Sequence, residues 1–433
     1  MEKTKYLIIG NSAGGIGAVE AIRRTDTAGA LMVVSDEPYP AYSRPMIAEH
    51  LASGIPVEKM LFRPADFYEM NTVKTLLGEK VAVVDFKGQT ARLESGGQIS
   101  WEKLLLATGG VPIVPPLKGI DYNGVFNFIT LDDAGKIARF LNRFQHRSAG
   151  AVIIGGGLIG VSAAEALVKR GLKVTIVEMK ERILNTILDE EASALAAGVL
   201  EEAGVHIVTG HTVAEAGSYT RGSVSSAELE GGETIPCSLV IVAIGVRPRL
   251  ELVEKSDVAV NRGILVDSHM ATSVPRVYAC GDAAEAYDFV IGERRVTPVW
   301  PNAYSGGVVA GSNMAGVPAE YAGGTSLNAL KYFGMHIVSA GMVTAPDDSY
   351  EVISERHEDI YRKVVLKDGR VKGLIFIGDI EKSGIIYNLM KDGVDVTAFK
   401  DTLTKADFGL AALPEALWRS HLEMPDRELL EIG

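Results

Sequence analysis

Short apolar runs that end in glycine-rich turns open two similar segments of the chain. Residues 6–9 precede the turn at residues 10–15, and residues 151–154 precede the turn at residues 155–160. In both segments a helical pattern of apolar positions follows the turn, and then a second apolar run. This order predicts a strand, a turn, a helix and a second strand, which is the βαβ unit of a parallel sheet. Its occurrence twice indicates duplication at the scale of a domain.

The pattern changes after residue 325. Strand-like segments occur at residues 335–338, 361–366 and 371–376. The last two are separated by residues 367–370, Lys-Asp-Gly-Arg, which is a hairpin turn signal. We therefore predict an α/β fold with two parallel-sheet domains, followed by a C-terminal α+β domain with an antiparallel sheet.

Composition and charge narrow the range of partners. The chain has 433 residues, and its 43 basic and 55 acidic side chains give a net charge of −12. An acidic chain repels phosphate backbones, so we expect no nucleic acid partner. No apolar run of about 18 residues occurs, so we expect no membrane insertion. The first strand has no apolar targeting stretch before it, and we expect a cytoplasmic location.

The cysteine count restricts the chemistry of the chain. Cys237 and Cys280 are its two cysteines, and they form no closely spaced pair. An iron–sulfur cluster needs about four ligands, mostly thiolates, and structural zinc sites use a similar set. We therefore predict no metal site, and we expect both thiols to be reduced and buried.

The second glycine-rich turn has the full context of a dinucleotide-binding site. A strand precedes it, a helix follows it, and the next strand ends in Glu178. Such glycines let a pyrophosphate approach the helix N-terminus, and the acid accepts hydrogen bonds from ribose hydroxyls. A carboxylate there repels the 2′-phosphate of NADP, so Glu178 favours NAD(H). Lys180 and Arg182 keep NADP(H) open as an alternative. The predicted contacts are Gly155, Gly157, Leu158, Ile159, Gly160 and Glu178.

The first turn departs from this pattern because Ser12 replaces the second glycine. Serine is small, and its hydroxyl can bond a phosphate oxygen. The acid of this unit is Asp36, with Glu37 as the neighbouring candidate, and the longer stretch of residues 24–30 accounts for its greater distance from Gly10. The predicted dinucleotide contacts of this turn are Gly10, Ser12, Ala13, Gly14 and Gly15.

Four further segments carry a resemblance to a known family. They are residues 42–45 (Tyr-Ser-Arg-Pro), 106–109 (Leu-Ala-Thr-Gly), 242–248 (Val-Ala-Ile-Gly-Val-Arg-Pro) and 272–282, which end in Cys-Gly-Asp. In this order the chain resembles the pyridine nucleotide–disulfide oxidoreductase superfamily, and within it the FAD-dependent NADH:acceptor reductases, such as rubredoxin, ferredoxin and nitrite reductases. The resemblance implies that Asp282 bonds the ribityl chain of FAD and that a helix starting at Trp300 lies under the flavin ring, with plain core packing as the other interpretation of Trp300. It adds as predicted cofactor contacts Arg44, Pro45, Val81, Ala107, Thr108, Gly109, Gly245, Gly281, Asp282 and Trp300.

The resemblance also implies a nested architecture. An FAD-binding domain comprises residues 1–112 and 246–325, and an NAD-binding domain of residues 113–245 is inserted into it. Residues 326–433 correspond to the interface domain of the family, which often mediates dimerisation.

Two departures from the family bear on mechanism. Relatives that act on disulfides, peroxides or coenzyme A disulfides carry cysteine after the first acid, whereas residues 40–54 contain none. A thiol-based mechanism is therefore excluded, since the thiolate is the nucleophile in those reactions. Relatives often carry glutamate two residues after the last glycine of the NAD turn, where this chain has Ser162, to which we assign no role.

The remaining chemistry is hydride transfer between NAD(H) and FAD, for which we assign no catalytic side chain. We predict an FAD-dependent NAD(P)H:acceptor oxidoreductase. Its electrons would pass to a ferredoxin- or rubredoxin-like protein, or to an iron–sulfur partner subunit of a larger redox complex such as a 2-oxoacid oxidoreductase. Two alternatives stay open, an NADH oxidase that reduces oxygen directly and a non-catalytic nucleotide-binding subunit. A homodimer or a hetero-oligomeric complex is the expected assembly.

Overall fold

The computed structural model describes residues 1–143, 150–218 and 222–414. Its first part contains ten strands and helices up to residue 112. These are β1 Glu2–Ile9, α1 Ala13–Thr25, β2 Leu31–Ser35, α2 Ile47–Ser53, α3 Phe67–Met70, β3 Val73–Leu77, β4 Val81–Asp85, β5 Thr90–Leu93, β6 Gln98–Leu106 and β7 Gly110–Pro112.

The first sheet has the strand order β3-β2-β1-β6-β5-β4. β1 lies parallel to β2 and to β6, with Ile8 opposite Val33 on one side and Leu105 on the other. These three side chains are fully buried. Central parallel strands are covered on both faces, which is why their sequences are continuous apolar runs rather than alternating ones.

The next part, residues 113–245, repeats this arrangement. Its elements are β8 Val125–Asn127, α4 Leu131–Arg143, β9 Gly150–Ile154, α5 Leu158–Lys169, β10 Val174–Glu178, α6 Glu190–Glu202, β11 Val205–Thr209, β12 Val213–Gly217, β13 Ser226–Leu229 and β14 Thr234–Val242. The strand order is β11-β10-β9-β14-β13-β12, with β8 beside β14. The two sheets therefore share one topology, as the duplicated turns predict.

The chain then returns to the first sheet. The elements are β15 Val246–Pro248, β16 Ile264–Leu265, β17 Val277–Ala279, β18 Ala284–Asp288, β19 Glu293–Arg295 and α7 Trp300–Ala315. β17 pairs in parallel with β6, and β15 pairs antiparallel with β7. The first sheet is thus completed by β17, which follows the second sheet in the sequence, whereas β15 and β7 form a two-stranded sheet and β16, β18 and β19 a three-stranded one.

Helices α1 and α7 pack at very short distance. A Cβ atom on Gly307 would lie 2.0 Å from the carbonyl oxygen of Gly14, and one on Gly311 would lie 2.5 Å from that of Ala18. Glycine is required at both positions because any side chain would overlap the facing backbone. The contact joins the helix after the first glycine-rich turn to the helix that starts at Trp300.

The chain divides into two compact units. The first comprises Met1–Thr186 and Ala197–Ser326, and the second comprises Ile187–Ala196 and the residues from Leu327 onward. The second unit contains β20 Leu327–Tyr332, β21 Met335–Gly341, β22 Glu351–His357, β23 Ile360–Lys367, β24 Arg370–Ile377 and α8 Ser383–Lys391. All neighbouring strands are antiparallel, in the order β20-β21-β24-β23-β22.

The predicted fold class is confirmed. The hairpin at residues 367–370 is present, and Asp368 and Gly369 have φ angles of 49° and 69°, as a two-residue turn of this kind requires. Among the described residues, no helix combines the length and apolar character needed to cross a membrane. The boundaries assigned to the FAD and NAD segments stay a prediction, and residues 187–196 of the NAD segment group with the second unit.

Candidate cofactor sites

Both glycine-rich turns bring the end of a strand, a loop and a helix N-terminus into close contact. A Cβ atom on Gly10 would lie 1.9 Å from the carbonyl oxygen of Ala107, and one on Gly155 would lie 2.5 Å from that of Ala243. In the last position of each turn, a Cβ atom on Gly15 or Gly160 would lie about 2 Å from the carbonyl oxygen of Gly10 or Gly155. These glycines are structural, because they let the helix start directly against its strand.

The middle position of each turn, Ser12 or Gly157, is not required to be glycine by close contact with the backbone. Nothing lies within 4 Å of a Cβ atom built on Gly157, so this position faces open space in front of α5. Ser12 occupies the same position in front of α1, with an extended backbone (φ −131°) that any residue adopts. The replacement of glycine by serine therefore costs no backbone strain. Ala13, Gly14, Leu158 and Ile159 form the first turns of the two helices.

The N-termini of α1 and α5 are suited to a phosphate group. The N-cap residues Ser12 and Gly157 make no side-chain capping hydrogen bond, and neither first turn carries an acidic residue. The first amide groups of a helix have no partner inside the helix, and the helix dipole favours negative charge there. Each turn thus offers amide donors and space to a pyrophosphate.

A cleft of about 380 Å³ lies beside the first turn. Four of the predicted FAD contacts line it, namely Gly10, Asp36, Val81 and Thr108. Its wall also contains Arg249, which sequence reasoning missed. The chain passes between the predicted FAD and NAD domains at two crossings, residues 106–109 and residues 242–248. The signal available in the sequence was the place of Arg249 directly after the second crossing. The cleft is bounded by the ends of β1 and β2, where nucleotides bind in folds of this topology.

The acid at this cleft is Asp36. Its carboxylate Oδ2 lies 2.6 Å from Nη1 of Arg249. Glu37 instead accepts hydrogen bonds from the hydroxyl of Tyr42 and from Arg44, with which it forms a close ion pair. Of the two neighbouring candidates, Asp36 therefore faces the cleft, and Glu37 holds the side chain of Arg44.

The greater distance between turn and acid in the first unit has two origins. The amide of Gly10 donates to Val34, and the amide of Gly155 donates to Val177, so these two valines are equivalent. Ser35 consequently occupies the position of Glu178, and Asp36 lies one residue beyond it. The stretch of residues 24–30 explains only part of the difference, contrary to the sequence prediction, because the acid has also moved past the end of the strand.

Glu178 closes the second turn. Its Oε2 accepts a hydrogen bond of 2.7 Å from the amide of Gly156, and its Oε1 accepts one of 2.8 Å from the amide of Lys180. The residue is 8% exposed. The carboxylate is thus held against the glycine-rich loop. The hydroxyl of Ser162 donates to the carbonyl of Leu158 within α5.

Asp282 lies in the short turn between β17 and β18. Burial raises the pKa of its carboxyl, and the positive charge of Arg44 acts in the opposite direction. A Cβ atom on the preceding residue, Gly281, would lie 3.3 Å from Cβ of Ala303 in the first turn of α7. The predicted helix start at Trp300 is present, and the Trp300 ring packs edge to face on Phe62 at 5.1 Å between centroids.

The two crossings lie side by side. Gly109 and Gly245 have φ angles of 69° and 117°, which glycine adopts without strain. The Arg249 amide donates to the Gly109 carbonyl, and the Thr108 hydroxyl donates to the Arg249 carbonyl. These bonds fix the base of the cleft. Pro45 lies in the single turn of Arg44–Met46 that precedes α2.

Both cysteines are buried, as expected. Burial raises the pKa of each thiol to about 12, and the nearby charge of Asp282 adds to the effect at Cys280. In the described ranges, no group of three or more His, Cys, Asp and Glu side chains is arranged to hold a metal ion. The structure therefore brings together the predicted nucleotide contacts without any accessible thiol among the two cysteines.

Known proteins resemble this chain over most of its length. The family model described as pyridine nucleotide-disulphide oxidoreductase matches residues 4–307, and the model described as the rubredoxin NAD+ reductase C-terminal domain matches residues 327–394. The NADH-dependent phenylglyoxylate dehydrogenase subunit epsilon of Aromatoleum evansii is 34% identical over 92% of this chain and 94% of its own length.

Of two further relatives, one matches this chain nearly end to end and the other is about twice as long as the matched region. The NADH-rubredoxin oxidoreductase of Clostridium acetobutylicum is 30% identical, over 94% of this chain and 98% of its own length. Its crystal structure superposes with a TM-score of 0.74 at 26% identity, and the match covers 95% of this chain and 99% of that one. The assimilatory nitrate reductase electron transfer subunit of Bacillus subtilis is 28% identical over 90% of this chain, which spans 50% of that protein.

The first family model covers both glycine-rich turns, and the second covers the antiparallel sheet of the second unit. The chain belongs to the pyridine nucleotide-disulphide oxidoreductase family, which confirms the predicted oxidoreductase class and its cofactors FAD and NAD(H).

Proposed function

We propose that this protein takes electrons from NADH through FAD and delivers them to a separate protein that carries an iron–sulfur or iron centre. The observation that carries the proposal is the presence of two dinucleotide-binding turns in one compact unit, while both thiols of the chain are buried. A reductase without an accessible thiol has no internal disulfide to pass electrons through. The acceptor must then lie outside the chain.

The proposal assigns the first turn and the 380 Å³ cleft to FAD. The residues that would hold FAD are Gly10, Ser12, Ala13, Gly14, Gly15, Asp36, Arg44, Pro45, Val81, Ala107, Thr108, Gly109, Gly281, Asp282 and Trp300. The residues that would hold NADH are Gly155, Gly157, Leu158, Ile159, Gly160, Glu178 and Gly245. The corresponding segments are residues 1–112 with 246–325 for FAD, and residues 113–245 for NAD(H).

When bound, FAD supplies the redox chemistry, because it accepts a hydride and releases electrons one at a time or as a pair. The protein contributes position and electrostatics. Amide groups at the N-termini of α1 and α5 bind the two pyrophosphates, Asp36 and Glu178 hold the two adenosine riboses, and Arg44 supplies positive charge beside Asp282. Orientation of two bound reactants is itself a large contribution to rate.

The kind of acceptor is inferred from two properties. The chain has two cysteines, fewer than an iron–sulfur cluster needs. Two relatives that match nearly end to end are named as a subunit of a dehydrogenase and as a rubredoxin oxidoreductase. We therefore place this protein as the NADH-facing component of an electron-transfer pair, with a cluster-bearing subunit of a 2-oxoacid oxidoreductase as the first choice and a free rubredoxin or ferredoxin as the second. Homodimer formation and a cytoplasmic location stay predictions.

Anaerobic titration of the FAD-loaded protein with NADH tests the proposal. One equivalent of NADH should bleach the flavin absorbance, and NADPH should do so only at much higher concentration. Absence of bleaching would contradict the assignment. Steady-state rates with rubredoxin, ferredoxin and oxygen then separate the acceptors, because a direct oxidase would consume oxygen faster than it reduces either protein. Purification from the native host distinguishes a bound cluster-bearing subunit from a free carrier.

A further inference from the structure

The loop of residues 36–46, which follows β2, reaches from the predicted FAD site to the start of helix α4. Tyr39 donates its hydroxyl proton to Oδ1 of Asp132 at 2.7 Å. Arg44 donates from Nη1 to the carbonyl of Ile129 at 3.3 Å. The hydroxyl of Tyr42 accepts from the amide of Leu131 at 3.2 Å. Three side chains of one short loop therefore bind one helix terminus that is more than 80 residues away in sequence.

Tyr42 is the centre of this contact. Its hydroxyl donates to Oε2 of Glu37 at 2.5 Å and accepts from the amide of Leu131 and from Nη1 of Arg44. A phenol has one proton to donate and two lone pairs, so these three bonds satisfy it completely. The residue is 5% exposed, and burial raises the pKa of its hydroxyl, which keeps the donated proton in place.

The start of α4 needs this partner. Thr130 and Asp133 form a capping box, in which the Asp133 amide donates to the Thr130 hydroxyl and Asp133 Oδ2 accepts from the amides of Thr130 and Ile129. This arrangement leaves the amide of Leu131, the first residue of the helix, to be satisfied from outside. The hydroxyl of Tyr42 does so. The amide is buried, so leaving it without a hydrogen-bond acceptor would destabilise the fold.

Helix α2, which directly follows the loop, contacts a second helix of the NAD segment, α5. The carbonyl of Leu51 accepts a bond of 3.0 Å from Nη1 of Arg170, at the end of α5. Glu49 lies 3.7 Å from the ammonium group of Lys169. Helix α5 begins at the glycine-rich turn of the predicted NAD(H) site. One continuous stretch, residues 36–53, thus contacts the predicted FAD site at one end and both helices α4 and α5 at the other.

We propose that Tyr42 is a positioning residue that couples the FAD site to the NAD(H) site by fixing helix α4 to the loop that also carries Asp36 and Arg44. The inference rests on the proposed function for the identity of the two nucleotides. In this proposal, bound FAD would hold the loop through Asp36 and Arg44, and the Tyr42 hydroxyl would hold the start of α4 to the same loop. Helix α2, which continues the loop, would extend the connection to α5, the helix that begins at the predicted NAD(H) turn. Because coupling between two binding sites is reciprocal, NAD+ must then strengthen the binding of FAD by the same factor.

The substitution Tyr42→Phe tests this inference on the FAD-loaded protein. It removes the hydroxyl and keeps the ring, which packs against Tyr39 and under the guanidinium of Arg44. Flavin fluorescence after dilution gives the dissociation constant of FAD with and without saturating NAD+. We expect NAD+ to lower this constant about tenfold in the wild type and by less than about twofold in Tyr42→Phe. The rate of flavin bleaching at saturating NADH should also fall in the variant, because misplaced reactants lose rate.

The control is Tyr122→Phe, a tyrosine of the NAD segment outside this contact, which should keep the wild-type coupling. An unchanged coupling in Tyr42→Phe, or a wild type in which NAD+ leaves FAD affinity unchanged, overturns the inference. If Tyr42→Phe releases FAD during purification, the same coupling is measured in reverse, as the change in the dissociation constant of NAD+ when excess FAD is added, and a coupling of wild-type size then overturns the inference. Failure of the proposed function is distinguishable, since wild-type flavin would then not be bleached by NADH.

Discussion

Arg249 and Asp36 form an ion pair across the mouth of the FAD cleft, with 2.6 Å between Nη1 and Oδ2. The two residues are 213 positions apart, and both line the cleft. The pair therefore closes the first segment of the chain onto the segment that follows the second crossing. Its side chains are 29% and 37% exposed, so the pair alone contributes little to stability, but it fixes the direction of the Asp36 carboxylate, which we propose binds a ribose of FAD.

Substitution of Asp36 should weaken FAD binding. Asp36→Asn keeps the shape and removes the charged acceptor, and hydrogen bonds to charged groups contribute about 1.5–3 kcal/mol. We expect the dissociation constant of FAD, measured by flavin fluorescence, to rise between about tenfold and a hundredfold. The exposed Asp121→Asn serves as a control and should bind FAD normally. A change of less than about twofold in Asp36→Asn would argue that Glu37 or Ser35 holds the ribose.

Two glycines of the second turn should respond in opposite ways to alanine. In Gly160→Ala the new methyl group would lie 1.9 Å from the carbonyl of Gly155, so the turn must distort and the melting temperature should fall by several degrees. Gly157→Ala places a methyl group in open space, so the fold should keep its stability. It obstructs the pyrophosphate instead, and the KM for NADH should rise about tenfold or more. Thermal melts and steady-state kinetics on both variants check this contrast, which an equal loss of stability in Gly157→Ala would contradict.

The parts of the site that follow from the sequence are local ones. A glycine-rich turn lies within a few residues of its strand and helix, so its geometry is contained in the motif itself. Arg249 could not be placed on Asp36 in this way, because the pairing depends on how two distant crossings lie side by side. The same applies to Tyr42 and Leu131. The position of Asp36 one residue past the end of β2 could not be predicted from its spacing to Gly10, because the end of β2 is set by its pairing with β1 and β3.

Glu178 should determine the preference for NADH over NADPH. Glu178→Gln retains the size of the side chain and removes the charge that repels a 2′-phosphate. Its one amide oxygen can accept from the Gly156 amide or the Lys180 amide, but not from both. We expect kcat/KM for NADH to fall about tenfold and the preference over NADPH to narrow by at least that factor. The ratio of kcat/KM for the two nucleotides is the measurement, with the exposed Glu181→Gln as the matched control. An unchanged ratio would show that other residues, such as Lys180 and Arg182, determine the preference between NADH and NADPH.

Electron transfer should proceed without either thiol. The variant with both Cys237→Ala and Cys280→Ala should reduce its flavin with NADH at a rate within about twofold of the wild type, since no nucleophile is involved. In the folded wild type both thiols should resist iodoacetamide at pH 8, because burial raises each pKa to about 12. Mass spectrometry before and after denaturation measures the labelling. Loss of flavin reduction in the alanine variant, with FAD still bound, would restore a thiol mechanism.

The second unit contains a buried ion pair, and the stability that this pair contributes should depend on pH. Asp189 lies 2.7 Å from the ammonium group of Lys363 and accepts a bond from the hydroxyl of Tyr361. Burial alone would raise the pKa of this carboxyl, but the hydrogen bonds from Lys363, the Ala192 amide and Tyr361 together hold it below its ordinary value. A lowered pKa means that the pair stabilises the fold fully above the ordinary carboxyl pKa of about 3.9 and loses this contribution as the pH falls below it.

Asp189→Asn keeps the cap of α6, because asparagine also accepts from the amide of Ala192, but leaves Lys363 buried without a charge partner. At pH 7 we expect the free energy of unfolding to fall by about 3–5 kcal/mol. The difference from the wild type should shrink below pH 4. Denaturant titration at several pH values measures this, and the double variant with Lys363→Met should recover most of the loss. A loss that stays constant down to pH 2 would show that the carboxylate charge is not involved.

Phe333 shows a further limit of the sequence, because the size of its side chain favours a place in the core. It forms, with Gly334, the two-residue turn between β20 and β21, at a φ angle of 47° and half-exposed. Tyr332 pairs with Met335 at the end of the two strands, so Phe333 and Gly334 are the two residues that must form the turn. Hydrophobicity alone does not reveal where a hairpin reverses.

The antiparallel pairing of β7 with β15 has an evolutionary consequence. Val111 lies opposite Arg247, so the chain leaves the first sheet and returns to it through two neighbouring strands, with the whole second sheet between them in sequence. A nucleotide-binding module joined through adjacent ends can be gained or lost by one insertion or deletion, without breaking a strand of the host. A short hairpin joining residues 112 and 246 would therefore connect the two parts of the first sheet without the inserted segment.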